Sequence, residues 1–244
     1  MQEPHLEIRG EAAVVAWYKG KSHQHYEDSF RLLPREVPVV GSQDRGEIYA
    51  VFDGIGGCPL GRSSAIKMAD TLTRFFTEPE NFANSVSGLT RLLMEGNQEI
   101  YDWGFIPGSN HMKGGCCGSV AWIKDDLLTI FHAGDTSALH LAGDNYVCLS
   151  KADQYDAYLV TKCFGQGPDL EMHITTATIE PFDQVLLYSD GVSKVIGTKE
   201  ALDLVNQFEE PKRRAAVLAR SARARGSRDD ITVLCAEIPD DQED

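Results

Sequence analysis

The stretch Ser119-Val120-Ala121-Trp122-Ile123-Lys124-Asp125-Asp126-Leu127-Leu128-Thr129-Ile130-Phe131-His132-Ala133-Gly134-Asp135-Thr136-Ser137-Ala138-Leu139-His140-Leu141-Ala142 decides the fold class. Within it, residues 119–123, 127–132 and 136–142 are short runs rich in apolar or β-branched side chains, each bounded by turn formers. Asp125-Asp126 suits a hairpin turn, and Gly134-Asp135 punctuates the next connection. Residues 174–179 and 184–189 continue the block with two more such runs.

On either side of this block the period changes to that of a helix. Upstream, Ala65, Met68, Ala69, Leu72, Phe75 and Phe76 recur at helical spacing, with Pro59 near the start. Val86, Leu89, Leu93 and Ile100 define a second helix that Gly104 follows. Downstream, residues 199–208 and 211–223 read as another helix pair, and residues 231–237 as a last strand. The order is strand region, helix pair, strand block, helix pair, strand. Helices grouped in pairs around consecutive strands imply an α+β layered fold and argue against a doubly wound parallel sheet.

The 244 residues suffice for one domain with a sizeable core, and no repeat, low-complexity run or linker divides them. The expected domain is therefore 1–244, with an acidic, frayed tail at 239–244. Hydrophobic content of 42% and charged content of 25% are those of a soluble globular protein. With no membrane-length apolar run and no secretory pattern in the first residues, the expected location is cytoplasmic. Cys58, Cys116, Cys117, Cys148, Cys163 and Cys235 are then reduced thiols, and none forms the CxxC pair of a zinc site. A net charge of −14 repels nucleic acid and anionic lipid, so neither is an expected partner. The basic stretch Lys212, Arg213, Arg214, Arg220, Arg223, Arg225 and Arg228 reads as a solvated helix face.

Part of the acidity is placed at the edges of predicted strands. The motifs are Tyr26-Glu27-Asp28-Ser29, Phe52-Asp53-Gly54-Ile55-Gly56-Gly57, Ala133-Gly134-Asp135, Ser189-Asp190-Gly191 and Arg228-Asp229-Asp230-Ile231-Thr232. Asp53 and Asp190 close the apolar runs 48–52 and 185–188, so each carboxylate is aimed outward from a rigid element. The glycine after each lets backbone approach a ligand. A single Asp-Gly is an ordinary turn signal. Several carboxylates that converge repel one another unless cations neutralise them. Oxygen ligands without a matching Cys or His set suit Mn²⁺ or Mg²⁺ better than Zn²⁺.

Taken in order, Glu-Asp-Ser, Asp-Gly-x-Gly-Gly, Gly-x-Ser (Gly118-Ser119, read as a turn into the central strands), Gly-Asp, Ser-Asp-Gly and Asp-(Asn/Asp)-Ile-Thr resemble the PPM (PP2C-like) metal-dependent protein serine/threonine phosphatases, in their short single-domain bacterial type. The resemblance runs from Glu27 to Thr232. It implies a four-layer αββα sandwich, with two antiparallel β-sheets flanked by helix pairs and metals at one edge. By motif it makes Asp53 the bridge between two Mn²⁺ or Mg²⁺ ions, with Glu27 and the Gly54 carbonyl completing one ion and Asp190 and Asp229 holding the other. Asp28 would orient ligands or water from behind, and Asp135 with Asp190 would support a weaker third ion. Asp53, Asp190 and Asp229 are the implied catalytic set. A metal-bridging hydroxide would hydrolyse phosphoserine or phosphothreonine in a protein substrate phosphorylated by an opposing Ser/Thr kinase.

Three departures from that pattern stand out. His23 occupies the place of a phosphate-binding arginine, and it donates at most one hydrogen bond where a guanidinium donates two. Phosphate binding is then expected to be weaker or pH-sensitive unless Lys21 or His25 substitutes. The stretch 146–165 is short for the family's flap, with 157–159 as its apolar patch. Asp230 stands where asparagine is commonest, and it would either tighten metal binding or face solvent. His23 and the short flap favour an alternative, a partner-binding signalling module of the same fold with weak or no activity, against which the intact carboxylates argue. A two-metal nuclease is disfavoured by the net charge, and the pair His23-x-His25 is too small a set for a transition-metal site.

Overall fold

In the central strands both faces are apolar, because each must be covered on both sides. On residues 47–54, Ile48, Ala50 and Phe52 pack with the upstream helices, whereas Tyr49 and Val51 pack against the opposite sheet. On residues 231–237 the same alternation puts Val233 and Cys235 against the downstream helices and Leu234 and Ala236 between the sheets.

The computed structural model describes residues 3–10, 12–143, 145–155 and 159–240. Residues 157 and 158 of the expected flap patch, and 241–244 of the expected tail, lie outside the described residues. The chain runs through β1 (His5–Arg9), β2 (Ala13–Tyr18), β3 (Ser29–Leu33), α1 (Pro38–Gly41), β4 (Glu47–Gly54), α2 (Gly61–Thr71), α3 (Arg74–Thr77) and α4 (Val86–Tyr101). It continues through β5 (Cys116–Lys124), β6 (Leu127–Ala133), β7 (Ser137–Ala142), β8 (Asn145–Cys148), β9 (His173–Thr178) and β10 (Gln184–Tyr188). Last come α5 (Asp190–Ser193), α6 (Thr198–Val205), α7 (Pro211–Ala224) and β11 (Ile231–Glu237).

One sheet has the order β1-β2-β11-β10-β7-β8 and the other β3-β4-β5-β6-β9, with every pairing antiparallel. One apolar layer fills the space between the sheets, a second joins β4 and β5 to α2 and α4, and a third joins β2, β10 and β11 to α5–α7. This is the expected four-layer α+β sandwich with two antiparallel sheets. Among the described residues, no helix is long and apolar enough to cross a membrane.

Several local expectations shift. The upstream helix read through Phe76 divides into α2 and α3, because Thr73, Phe75 and Phe76 donate to carbonyls three residues back (Asp70, Leu72, Thr73) and tighten the chain into a turn. Gly118-Ser119 is not a turn: β5 begins at Cys116, and Gly118 pairs with Phe52 and Ala133 inside the sheet. A Cβ at Gly118 would lie 2.3 Å from the Phe52 ring, so the glycine marks a close approach. Part of the expected flap is the edge strand β8, whose exposed faces carry no hydrophobic period to reveal it. The hairpin at Asp125-Asp126 forms as read, with Asp125 at φ 55° and Lys124 opposite Leu127.

Candidate metal centre

The same sheet order that buries the core brings the acidic motifs to one end of the sandwich. β4 delivers Asp53 and Gly54, the β6–β7 connection delivers Asp135, and the β10–α5 junction delivers Asp190 as the first helical residue. Asp229 and Asp230 precede β11, while His23, Glu27 and Asp28 lie on the segment between β2 and β3. Close backbone packing makes this convergence possible. A Cβ at Gly191 would sit 1.8 Å from the Asp230 carbonyl oxygen, so only glycine lets the Asp190 turn lie against the Asp229-Asp230 segment. Gly134 has φ 108°, and a Cβ there would strike Cys117.

Carboxylate oxygens of Asp53, Asp135 and Asp190 all lie within 4.8 Å of one another. They face a cavity of about 360 Å³ that Gly54, Asp229, His23 and Lys194 also line, with Ile55, Met112, Leu159, Val160 and Cys163 as its apolar wall. Burial first, then the fields of Asp190, Asp28, Asp135 and Asp229, hold the Asp53 carboxyl well above the usual carboxylate range. Asp190 is pushed up to about 6 by burial and by Asp135 and Asp229, against the downward pull of Lys194. Crowded carboxyls with oxygen donors only, stressed by each other's charge, fit a hard divalent cation. Cys117 and Cys163 also line the cavity, but the group of side chains close enough to share an ion is Asp53, Asp135 and Asp190. Burial and nearby carboxylates push the Cys117 thiol well up, and burial pushes Cys163 up to about 12.

The remaining sequence candidates fall around this trio in different ways. Asp229 lines the cavity and accepts from Lys194 Nζ at 2.9 Å. Glu27 lies outside the trio, with its carboxylate 4.0 Å from His23 Nδ1. Asp28 is buried behind the cavity and accepts from Thr232 Oγ1 at 2.5 Å, and Thr232 in turn accepts from the Tyr26 hydroxyl. Burial and Asp230 raise the Asp28 carboxyl well above the usual range, although bonds from Thr232 and Ser189 oppose the shift. His23 lines the cavity, but its Nδ1 is 2.9 Å from Asp230 and its Nε2 is 3.5 Å from Asp229. Burial opposes the charged imidazole, and the Asp230 hydrogen bond with the fields of Asp230, Asp229 and Glu27 outweighs it, so the His23 pKa is raised. Lys21 is exposed and is not part of the cavity wall.

Asp230 neither faces solvent nor joins the trio. It is 2% exposed and accepts from the backbone N–H groups of Gly20 at 2.5 Å and Glu27 at 2.7 Å. With His23 it therefore staples the whole 20–27 segment to the start of β11, which is why a carboxylate with two free acceptor oxygens serves there.

Two elements of the site escaped the sequence reading. Lys194 places Nζ 2.5 Å from Asp190 and 2.9 Å from Asp229. Its spacing of four from Asp190 was the available signal, since that interval places both on one helical face. Asp153 holds the Gly134-Asp135 turn by accepting from the Gly134 N–H at 3.2 Å and donating its own N–H to the Gly134 carbonyl at 2.7 Å. His173 Nε2 fixes Asp153 at 2.8 Å, a contact between the start of β9 and the loop after β8 that no local pattern announces.

The protein phosphatase 2C family model matches residues 21–232, a span that contains every acidic motif. Among curated proteins, the chain is 23% identical over 221 residues to "Probable protein phosphatase 2C 59" of Oryza sativa subsp. japonica, covering 77% of this chain and 65% of that one. The chain thus spans about two thirds of that relative's length. Its backbone is similar to the catalytic domain of the serine threonine protein phosphatase PstP, solved in complex with two manganese ions, with TM-score 0.76, 20% identity and coverage of 93% and 98%. It is equally similar to PppA of Pseudomonas aeruginosa, with TM-score 0.76, 23% identity and coverage of 92% and 96%. At such identities the structural likeness establishes the fold. Together with the family match across residues 21–232, it identifies this chain as a member of the protein phosphatase 2C family.

Proposed function

We propose that this protein is a metal-dependent protein serine/threonine phosphatase acting as a phosphoric monoester hydrolase on phosphoserine and phosphothreonine in proteins. The observation that carries this reading is the convergence of Asp53, Asp135 and Asp190 within 4.8 Å, beside Asp229, in one cavity of a protein phosphatase 2C fold. Asp53, Gly54 and Glu27 would hold one Mn²⁺ or Mg²⁺, Asp53, Asp190 and Asp229 a second, and Asp135 with Asp190 a weaker third. The two manganese ions of the PstP catalytic domain support that assignment. When bound, such cations acidify water and stabilise charge that develops on phosphate oxygens.

The chain's own groups do the rest. Asp53, Asp190 and Asp229 supply the negative charge that draws cations to this end of the sandwich, and Asp28 orients the site from behind through Thr232 and Ser189. Asp230 and His23 hold the 20–27 segment, and with it Glu27, against the site. Ile55, Met112, Leu159 and Val160 limit water on the apolar side of the cavity. No covalent phosphoenzyme is required, and Cys117 and Cys163 are poor nucleophiles because their thiols stay protonated.

The reading extends to one domain over residues 1–244, to a protein substrate phosphorylated by a Ser/Thr kinase, and to a cytoplasmic location, which six free thiols suit. A phosphothreonine peptide incubated with the protein tests it directly. Phosphate release with Mn²⁺ that disappears in EDTA and in Asp190→Ala is the expected result. A folded protein that releases no phosphate with Mn²⁺ or Mg²⁺ would overturn it.

A further inference from the structure

A cation already sits between two of the carboxylates that the metal reading requires. The Lys194 ammonium is 2.5 Å from Asp190 and 2.9 Å from Asp229, and its side chain is only 32% exposed. Among the described residues, Lys194 and His23 are the basic side chains that line the cavity. His23 is engaged by Asp230 through Nδ1 and lies 3.5 Å from Asp229 through Nε2, so Lys194 is the one that contacts both Asp190 and Asp229. Asp53 and Asp135, by contrast, make no ion pair among the described residues, and their carboxylates lie within 4.8 Å of Asp190. Lys194 therefore neutralises the Asp190–Asp229 half of the site and leaves the Asp53–Asp135 half to repel itself.

We infer that Lys194 is a tethered counter-cation that competes with a divalent ion for Asp190 and Asp229. An ammonium 2.5 Å from Asp190 and 2.9 Å from Asp229 would stand beside any divalent ion held by the same two carboxylates, and the two positive charges repel. A divalent ion at this pair would therefore weaken or displace the Lys194 contacts. Metal affinity at the pair is thereby lowered by the strength of the contacts that are given up. The consequence is asymmetry: ions bind the Asp53 side first and the Asp229 side only at higher concentration, while the metal-free protein keeps its second half closed by an internal salt link. The lysine lies one helical turn past Asp190, directly after the four-residue helix α5. This inference rests on the proposed metal-dependent reading and concerns how that metal is admitted.

The test is a binding measurement that does not depend on turnover. Metal-stripped full-length protein is titrated with Mn²⁺, and free Mn²⁺ is read by its electron paramagnetic resonance signal for wild type, Lys194→Met, Lys194→Gln and Lys194→Arg. Removing the charge should tighten the weakest class of Mn²⁺ sites by about tenfold or more, since one unit charge at contact distance is lost. Lys194→Arg should stay near wild type. Thermal unfolding gives a second readout: the neutral variants should melt lower without metal and gain more from Mn²⁺ than wild type does. Mn²⁺ affinity in both neutral variants equal to or weaker than that of wild type would overturn the inference while leaving the metal-dependent reading intact. Mn²⁺ binding by none of the four proteins would overturn both.

Discussion

The two ends of strand β4 carry carboxylates with opposite fates. At its start, Glu47 is buried and fully partnered, accepting from the Arg35 backbone N–H at 2.9 Å, the Arg35 side chain at 3.1 Å and the Tyr49 hydroxyl at 2.9 Å. Near its end, about 20 Å away at the rise of a strand, Asp53 faces Asp135 and Asp190. The Glu47 end also opens onto the larger cavity, about 540 Å³, where Lys124 pairs with Asp44 and Asp125. Size therefore does not mark the functional end. At one end charge is balanced by residues of the chain, so folding is its own reward there. At the other end the balance is left open except for Lys194 and His23, and under the proposed metal-dependent reading a cation would complete it.

The sharpest way to break this comparison is to neutralise each end in turn. Asp53→Asn should lower Mn²⁺-dependent hydrolysis of a phosphothreonine peptide by about 10²–10³-fold, because a charge that organises transition-state electrostatics is removed. Glu47→Gln should leave turnover of the folded protein unchanged and cost about 1–3 kcal/mol in urea unfolding, the cost of disturbing a buried acceptor of three hydrogen bonds. Equal losses of turnover in the two variants would erase the distinction between the ends.

A smaller effect separates them by pH in the metal-stripped protein. Asp190 titrates at about 6 in the folded state, above its unfolded value, so between these pKa values the folded form binds more protons than the unfolded one. Stability from this group thus rises as pH falls from above 6 towards 4, by up to about 3 kcal/mol. Urea melts of wild type and Asp190→Asn at pH 7.5 and pH 4 should show the variant ahead at the higher pH and the difference closing at the lower. Saturating Mn²⁺ should abolish the wild-type deficit at pH 7.5. A constant difference between the two proteins across this range would show that Asp190 is not held up in the fold.

The smallest effect concerns the staple at the rim. His23 has a raised folded pKa, so its contribution is fully present below its unfolded pKa and is lost as pH rises through the folded value. His23→Ala should cost about 0.5–1.5 kcal/mol at pH 6 and progressively less in alkaline buffer, measured by thermal unfolding. A loss that does not change with pH would mean that the imidazole acts by packing and not by charge.

How much of this was legible in advance follows from the range of each interaction. The hairpin at Asp125-Asp126, the helix over Val86–Tyr101 and the strand Ile231–Glu237 are written in local periodicity, because each is set by neighbours within a few residues. β8 was missed because an exposed edge strand has no buried face to impose a period. Asp53, Asp135 and Asp190 stood out as motifs, but not their mutual distance. The role of Asp230 was misjudged for the same reason: its partners Gly20, His23 and Glu27 lie more than 200 positions away in sequence.

By itself, then, the sequence determined the alternation that makes two-faced strands, the helix pairs that cover them, and the ordered Asp-Gly motifs that mark a protein phosphatase 2C chain. Those properties depend on residue type and short spacing, which folding does not alter. Only the tertiary structure decided which carboxylates share a cavity, that Lys194 already spans two of them, and that Asp230 serves the backbone instead of a metal. Electrostatic energy depends on distance and burial, and both come into being only when strands remote in the chain are brought side by side.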